Sequence, residues 1–210
     1  MTARVEKVVT SGVFALDGGE WEVDNNVWLV GDDDEVLVVD AAHDAAAILA
    51  AVGDRHVVAI VLTHGHNDHV NAAVEVAAAK DAEIALHPAD HVLWAAEYGD
   101  DLRPDIEIVD GGSFEVAGTR LAVLHTPGHS PGAVCLHAPD LGVVFSGDTL
   151  FRGGPGATGR SYSDFPTIIE SIRQSLLTLP AATLVHTGHG DDTTIGAETP
   201  HLAEWVARGH

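Results

Sequence analysis

The sequence predicts an α/β protein of four layers, with two β-sheets face to face and helices on both outer sides. Three observations lead there. Short apolar runs and helical patterns alternate over residues 35–98, strands dominate 106–150, and a helix, a strand and a helix close the chain. Two sheets with their own helices can bury one shared core and two outer ones, an αββα sandwich. No linker, low-complexity tract or short-period repeat interrupts the pattern, so residues 1–210 read as one domain.

Residues 4–16 and 21–30 are rich in β-branched and aromatic side chains, and Asp17-Gly18-Gly19-Glu20 joins them as a hairpin turn. Asp32-Asp33-Asp34 is a solvated turn into the strand 35–40. Asp44 is placed to cap a helix reaching about Val52, its carboxylate accepting from amides that lack an intrahelical partner. The apolar run 56–62 is a strand, 70–80 a helix of Ala, Val and Glu, and 82–86 another strand. Pro88 starts a helix that runs to Tyr98. Strand patterns follow at 114–116, 120–125, 133–137 and 142–145. Residues 164–179 are helical up to Pro180, 182–186 form a strand, and 196–208 form the closing helix.

Composition excludes several roles. The net charge is −22, from 32 acidic against 10 basic residues, and such a surface repels nucleic acid and anionic membranes. The single cysteine, Cys135, excludes an intramolecular disulfide and a cysteine-based metal cage, and its apolar setting predicts a buried, inert thiol. No apolar run has the length of a membrane span, and residues 1–6 lack the apolar core of a signal peptide. A soluble, cytoplasmic protein is expected.

The chemistry gathers in turns at strand ends. Thr63-His64-Gly65-His66-Asn67-Asp68-His69 places three imidazoles and a carboxylate directly after an apolar strand. Imidazole nitrogen and carboxylate oxygen are the preferred non-sulfur ligands of zinc. Three further turns each present one such side chain among glycines: Thr126-Pro127-Gly128-His129-Ser130-Pro131-Gly132, Ser146-Gly147-Asp148-Thr149 and Thr187-Gly188-His189-Gly190. Taken singly, His129 or His189 would read as an ordinary surface or core histidine; the four turns together do not. His64, His66, Asp68, His69, His129, Asp148 and His189 exceed what one tetrahedral ion takes and suit two. If Asp148 bridges, the other six divide into two sets of three. Of the remaining histidines, His43 and His91 follow predicted strands and are the two that could reach such a site.

The order and type of these ligands resemble the metallo-β-lactamase superfamily. Its glyoxalase II (hydroxyacylglutathione hydrolase) branch is similar in the turns TPGHSPG, SGDTLF and TGHG, in a short form without the added helical domain. The resemblance implies the αββα sandwich and two divalent metal ions, zinc first, with iron or manganese as alternatives. It implies that His64, His66 and His129 hold one ion and that Asp68, His69 and His189 hold the other, with Asp148 bridging. Asp40, at the end of an apolar strand, matches a position that supports the ligands by hydrogen bonding. Asp68 and Asp148 are the implied catalytic residues. The implied activity is hydrolysis of a thioester of a low-molecular-weight thiol by a metal-bridging hydroxide.

Several departures bear on the substrate. The segment 151–164 after Asp148 is longer than the compact loop usual in that branch, and Gly65 and Asn71 stand where many relatives have a bulkier residue and a glycine. A thiol other than glutathione fits these departures, and S-acyl or S-formyl mycothiol conjugates are among the candidates. Arg152 and Arg160 in that segment either meet an anionic part of the substrate or offset the acidic surface. Two alternative activities share the motif order. One is a mononuclear iron persulfide dioxygenase using His64, His129 and Asp148; the other is a lactonase.

Overall fold

A computed structural model describes residues 3–209. The chain begins with a long hairpin, β1 (Arg4–Leu16) and β2 (Gly19–Gly31), whose register closes at Leu16 opposite Gly19. Asp17 and Gly18 turn it with positive φ angles of 54° and 75°, so the turn has two residues rather than the four expected. β3 (Glu35–Val39) pairs antiparallel with β2, and β4 (His56–Val61) lies parallel to β3. α1 (Ala45–Val52) makes the crossover between them, and Asp44 caps it as expected, accepting from Ala47 N at 2.9 Å.

α2 (Asn67–Val70) and α3 (Ala73–Lys80) follow β4. The expected helix 70–80 is therefore two helices, and the first begins inside the histidine turn. β5 (Ile84–Leu86), α4 (His91–Tyr98) and β6 (Ile106–Glu107) complete the first sheet, in the order β1-β2-β3-β4-β5-β6.

The second sheet starts with an antiparallel series, β7 (Ser113–Val116), β8 (Thr119–His125), β9 (Val134–Ala138) and β10 (Val143–Gly147). A small hairpin, β11 (Leu150–Phe151) with β12 (Gly154–Pro155), stands in the loop after Asp148. α5 (Phe165–Ser171) then continues as a π-helical turn through Ile172–Leu176. β13 (Leu184–Thr187) pairs parallel with β10, and β14 (Thr193–Thr194) pairs antiparallel with β13. The closing helix is split into α6 (Ile195–Glu198) and α7 (Leu202–Arg208) by a 3-10 turn that contains Pro200, which has no amide proton to donate.

The sheets pack face to face. Val30, Leu37, Val39 and Val61 of the first meet Leu121, Val123, Leu136 and Phe145 of the second, all buried. The opposite face of the first sheet, with Val36, Val38 and Ile60, is covered by Ile48, Val76 and Trp94 from the helices. The outer face of the second, with Val144 and Val185, is covered by Ile168, Ile172 and Trp205. Strands buried on both faces read as continuous apolar runs, which is the pattern of residues 35–39 and 56–62. The four-layer αββα arrangement is the one the sequence predicts. Cys135 is wholly buried within the second outer core, and burial pushes its thiol up to about 11, so it stays protonated and unreactive. Among the described residues, no helix is long and apolar enough to cross a membrane.

Candidate metal centre

The carboxyl-end turns of β3, β4, β8, β10 and β13 meet at one edge of the sandwich, and each carries polar side chains there. Asp40 follows β3 with φ 58° and accepts from Thr63 N at 2.7 Å and from Thr63 Oγ1 at 2.8 Å. It also accepts from His69 Nδ1 at 3.0 Å. That bond leaves the His69 Nε2 lone pair facing the site. Asp40 thus joins the Thr63 turn to one candidate ligand, His69.

The same device recurs. His64 Nδ1 lies 3.2 Å from Thr63 Oγ1, whose own proton goes to Asp40, so the ring donates and Nε2 is free. His129 Nδ1 donates to Ala157 O at 2.9 Å, and His189 Nδ1 donates to Asp24 O at 2.8 Å. In its neutral form each of these rings therefore presents one proton-free nitrogen. His66 Nδ1 lies 3.0 Å from His129 Nε2, and His69 Nε2 lies 3.2 Å from His189 Nε2. Asp68 Oδ2 is 3.4 Å from His189 Nε2 and 3.6 Å from His69 Nε2. Asp148 spans the two groups: Oδ1 is 3.3 Å from His69 Nε2, and Oδ2 is 3.5 Å from His129 Nε2.

Ligand atoms within 4.8 Å of one another form three sets: His64, His66 and His129; Asp68, His69 and His189; and His64, His69 and Asp148. All seven residues singled out in the sequence are thus brought together. Their chemistry fits divalent metal ions. Imidazole nitrogens and carboxylate oxygens converge, and His64 Nε2 and Asp148 Oδ1 are buried with no hydrogen-bond partner among the described residues.

Glycines make the crowding possible. A Cβ at Gly188 would lie 2.2 Å from Asp148 Oδ1 and 2.8 Å from His69 Cε1. At Gly65 it would meet Asp90 O and Leu93 Cβ, both at 2.9 Å, so a larger side chain has no place there.

Charge divides the site. Burial, then the neighbouring imidazoles, hold His64 well below its ordinary value and bring His66 down to about 3. Burial opposes protonation of His69 and His189 too, but the carboxylates around them together outweigh it, Asp148, Asp68 and Asp40 at His69 and Asp148 with Asp68 at His189, raising His69 well above 6.5 and His189 to about 10. These directions predict how the chelated protein responds to pH. His64 and His66, lowered in the fold, contribute stability above pH 6.5 that is lost as pH falls, for His66 through about 3. His69 and His189, raised in the fold, contribute stability below pH 6.5 that is lost as pH rises toward about 10. Thermal unfolding after chelation should therefore give a maximum near pH 6.5, and a flat profile across that window would contradict the assignment.

The structure adds residues that the sequence reading missed. Asp90 is wholly buried and accepts from Gly65 N at 2.8 Å, Ser130 Oγ at 2.6 Å and Gly132 N at 2.5 Å. It ties the His64–His66 turn to the turn carrying His129. Burial pushes its carboxyl up, against these three donors. Its one sequence signal is its place just after β5, like that of Asp40 after β3. Asn25 on β2 donates to Asp68 Oδ2 at 3.2 Å. His43 does reach this region, through Asn25, while His91 belongs to none of the three ligand sets.

Beside the metal residues lies a cleft of about 220 Å³, walled by Phe14, Trp21, Val23 and Arg160. The Arg160 guanidinium sits 3.7 Å from the centre of the Trp21 ring. Arg152 is not brought to this cleft. Arg152 lies in the turn of the β11–β12 hairpin, and its side chain pairs with exposed Asp191 at 3.2 Å.

A model of the metallo-beta-lactamase superfamily matches residues 21–189. The chain belongs to the metallo-beta-lactamase superfamily. Within that superfamily it is similar to the hydroxyacylglutathione hydrolase GloC of Haemophilus influenzae, 33% identical over 82% of this chain and 89% of the relative. It is also similar to the crystal structure of TTHA1623 in a di-iron-bound form, with 34% identity and a TM-score of 0.75 over 84% of this chain and 93% of that one. The structure of ETHE1 from Myxococcus xanthus shares the fold, with a TM-score of 0.73 at 22% identity over 95% of this chain and 85% of that one. Superfamily and ligand clusters together make this a metallo-hydrolase fold with a site for divalent metal.

Proposed function

We propose that the chain is a binuclear metallo-hydrolase that cleaves thioesters of a low-molecular-weight thiol, as a short glyoxalase II-like enzyme. The observation that carries this is the complete second ligand set, Asp68, His69 and His189, joined to the first through Asp148. The GloC relative supports the thioester, and the di-iron form of TTHA1623 supports the pair of ions. In this reading His64, His66 and His129 hold one ion, Asp68, His69 and His189 the other, and Asp148 bridges. Zinc is the first expectation for such nitrogen and oxygen donors, with iron or manganese as alternatives. Two bound dications would lower the pKa of a shared water toward neutrality and polarise a substrate carbonyl.

The chain's own residues do the rest. Asp68 presents carboxylate oxygen at the cleft floor, where it orients the attacking water and accepts its proton. The C–S bond of the thioester breaks, and the thiol leaves with that proton. Phe14, Trp21 and Val23 form an apolar wall that excludes bulk water and takes the acyl group. The cleft is smaller than sites that enclose a drug-sized molecule, about 300 Å³ or more, so the acyl end enters and the thiol carrier extends outward. Arg160 at the wall binds an anionic group on either part.

Loss of Arg160 should act on binding. Arg160→Ala is expected to raise KM about tenfold, the worth of one charge-assisted contact, with kcat nearly unchanged. An unchanged KM would remove Arg160 from the substrate site.

A panel of small-thiol thioesters, including S-acyl and S-formyl conjugates, tests the activity on protein of known metal content. Hydrolysis without oxygen uptake is expected. Persulfide-dependent oxygen consumption with one iron per chain would overturn the proposal in favour of a mononuclear dioxygenase, and turnover confined to lactones would overturn the thioester.

A further inference from the structure

Asn25 is wholly buried on β2 and touches two of the candidate ligands. Its Nδ2 donates to Asp68 Oδ2 at 3.2 Å and lies 3.3 Å from His69 Nε2. Behind it, His43 Nε2 is 2.9 Å from Asn25 Oδ1, and His43 Nδ1 is 3.1 Å from Asn71 Nδ2. A single backbone group sets the direction of every bond in this series. The His43 amide N–H can only donate, and it meets Asn71 Oδ1 at 2.6 Å. Asn71 must then turn its amide nitrogen toward His43 Nδ1, which accepts. The ring proton is left on Nε2 and goes to Asn25 Oδ1. Asn25 is left with its amide nitrogen toward Asp68. Reversing any one member would set two donors or two acceptors against each other.

Two features show that the placement of His43 is built into the fold. The residue has φ 59°, a left-handed conformation uncommon outside glycine, in which asparagine, aspartate and histidine are the side chains most often found. Across from it, β1 carries Gly12, where a Cβ would fall 2.1 Å from His43 Nδ1. Asn71 completes the series, bonded to both the backbone and the ring of His43.

We infer that Asn71, His43 and Asn25 form a positioning relay that holds Asp68 as a ligand of the second metal. His43 would thus control occupancy of that ion while hydrogen-bonding to none of the seven ligands. The inference rests on the two-ion reading above. Its distinctive content is selectivity. The relay's side-chain hydrogen bonds end at Asp68 and the edge of His69, on the second ligand set and away from His66 and His129.

The test is a zinc titration of the metal-free protein against a chromophoric chelator. Wild type should take up two equivalents. Asn25→Ala should keep the first and weaken the second about 10–100-fold, as loss of a ligand's hydrogen-bond partner does. His43→Asn suits the left-handed backbone and can keep the contact with Asn71, yet it is too short to reach Asn25. It should weaken the second equivalent in the same way, and His43→Gln, which can reach, should restore most of it. Gly12→Ala, which displaces the His43 ring while substituting none of the three relay residues, should reproduce the loss. Equal weakening of both equivalents, or an unchanged second one, would overturn the relay alone. Uptake of a single equivalent by wild type would overturn the two-ion reading, and the relay with it.

Discussion

Asp148→Ala should release both metal ions and lower kcat/KM for a thioester by about 10³-fold or more, the scale of a lost metal-centred stabilisation of several kcal/mol. The expectation follows from position. Asp148 Oδ1 is 3.3 Å from His69 Nε2, while Oδ2 is 3.5 Å from His129 Nε2 and 3.4 Å from His189 Nε2. No other carboxylate faces both histidine groups in this way among the described residues. The neighbouring imidazoles also hold Asp148 well below the usual carboxylate range despite its burial, so it is ionised at any working pH. Removing it takes a negative charge from between two dications as well as one ligand atom from each. Asp148→Asn separates these effects, since the amide preserves volume while its N–H₂ would face a lone pair. Metal analysis after gel filtration gives the result directly. Full retention of the second ion by either variant would contradict a bridging role.

Asp90→Ala should produce the largest loss of stability. Gly65 N, Gly132 N and Ser130 Oγ would all be left buried without their acceptor. Breaking such a fully buried charged network costs about 3–5 kcal/mol. Denaturant unfolding of the metal-free protein measures this without interference from bound ions. Because Asp90 fastens the turn of His64 and His66 to the turn of His129, the first ion should also bind more weakly, by about 10–100-fold. A stability loss below about 1 kcal/mol would show that the turns hold themselves together and that Asp90 is incidental.

These two residues also show what a sequence can and cannot reveal. Asp148 was legible because its whole signal is local, an apolar strand followed by glycine and one carboxylate. The same holds for His129 and His189, and for the dense turn from His64 to His69. The strands were legible where burial on both faces produced unbroken apolar runs, as at β3 and β4. Asp90 was not legible, because its importance lies in three donors that come from turns 25 and 40 residues away. Asn25 is one polar residue in the middle of a strand, and nothing nearby in the sequence announces that it is wholly buried against Asp68. Arg152 and Arg160 stand in one glycine-rich segment, with Arg160 the better candidate for a substrate contact. The β11–β12 hairpin distinguishes them, leaving one paired with exposed Asp191 and stacking the other on Trp21. Helix boundaries failed for local reasons of their own, at Asn71, where the histidine turn is already helical, and at Pro200.

The hairpin β1–β2 has a double role that only the fold exposes. Its tip supplies Phe14 and Trp21 to the cleft, and Asp17 Oδ2 accepts from Ser161 N at 3.1 Å, joining the tip to the segment that carries Arg160. Farther along, the same strands supply Gly12 and Asn25 to the support of Asp68. Substrate wall and ligand support thus share one element, so changes in the hairpin should be felt in both KM and metal content.

The central claim is that seven side chains hold two ions with Asp148 between them. Anomalous diffraction from metal-loaded crystals, collected at the absorption edge of the bound metal, tests it most directly. Two peaks roughly 3.5–4 Å apart, one beside His64, His66 and His129 and the other beside Asp68, His69 and His189, are expected. A single peak held by His64, His129 and Asp148 after saturating metal would contradict it.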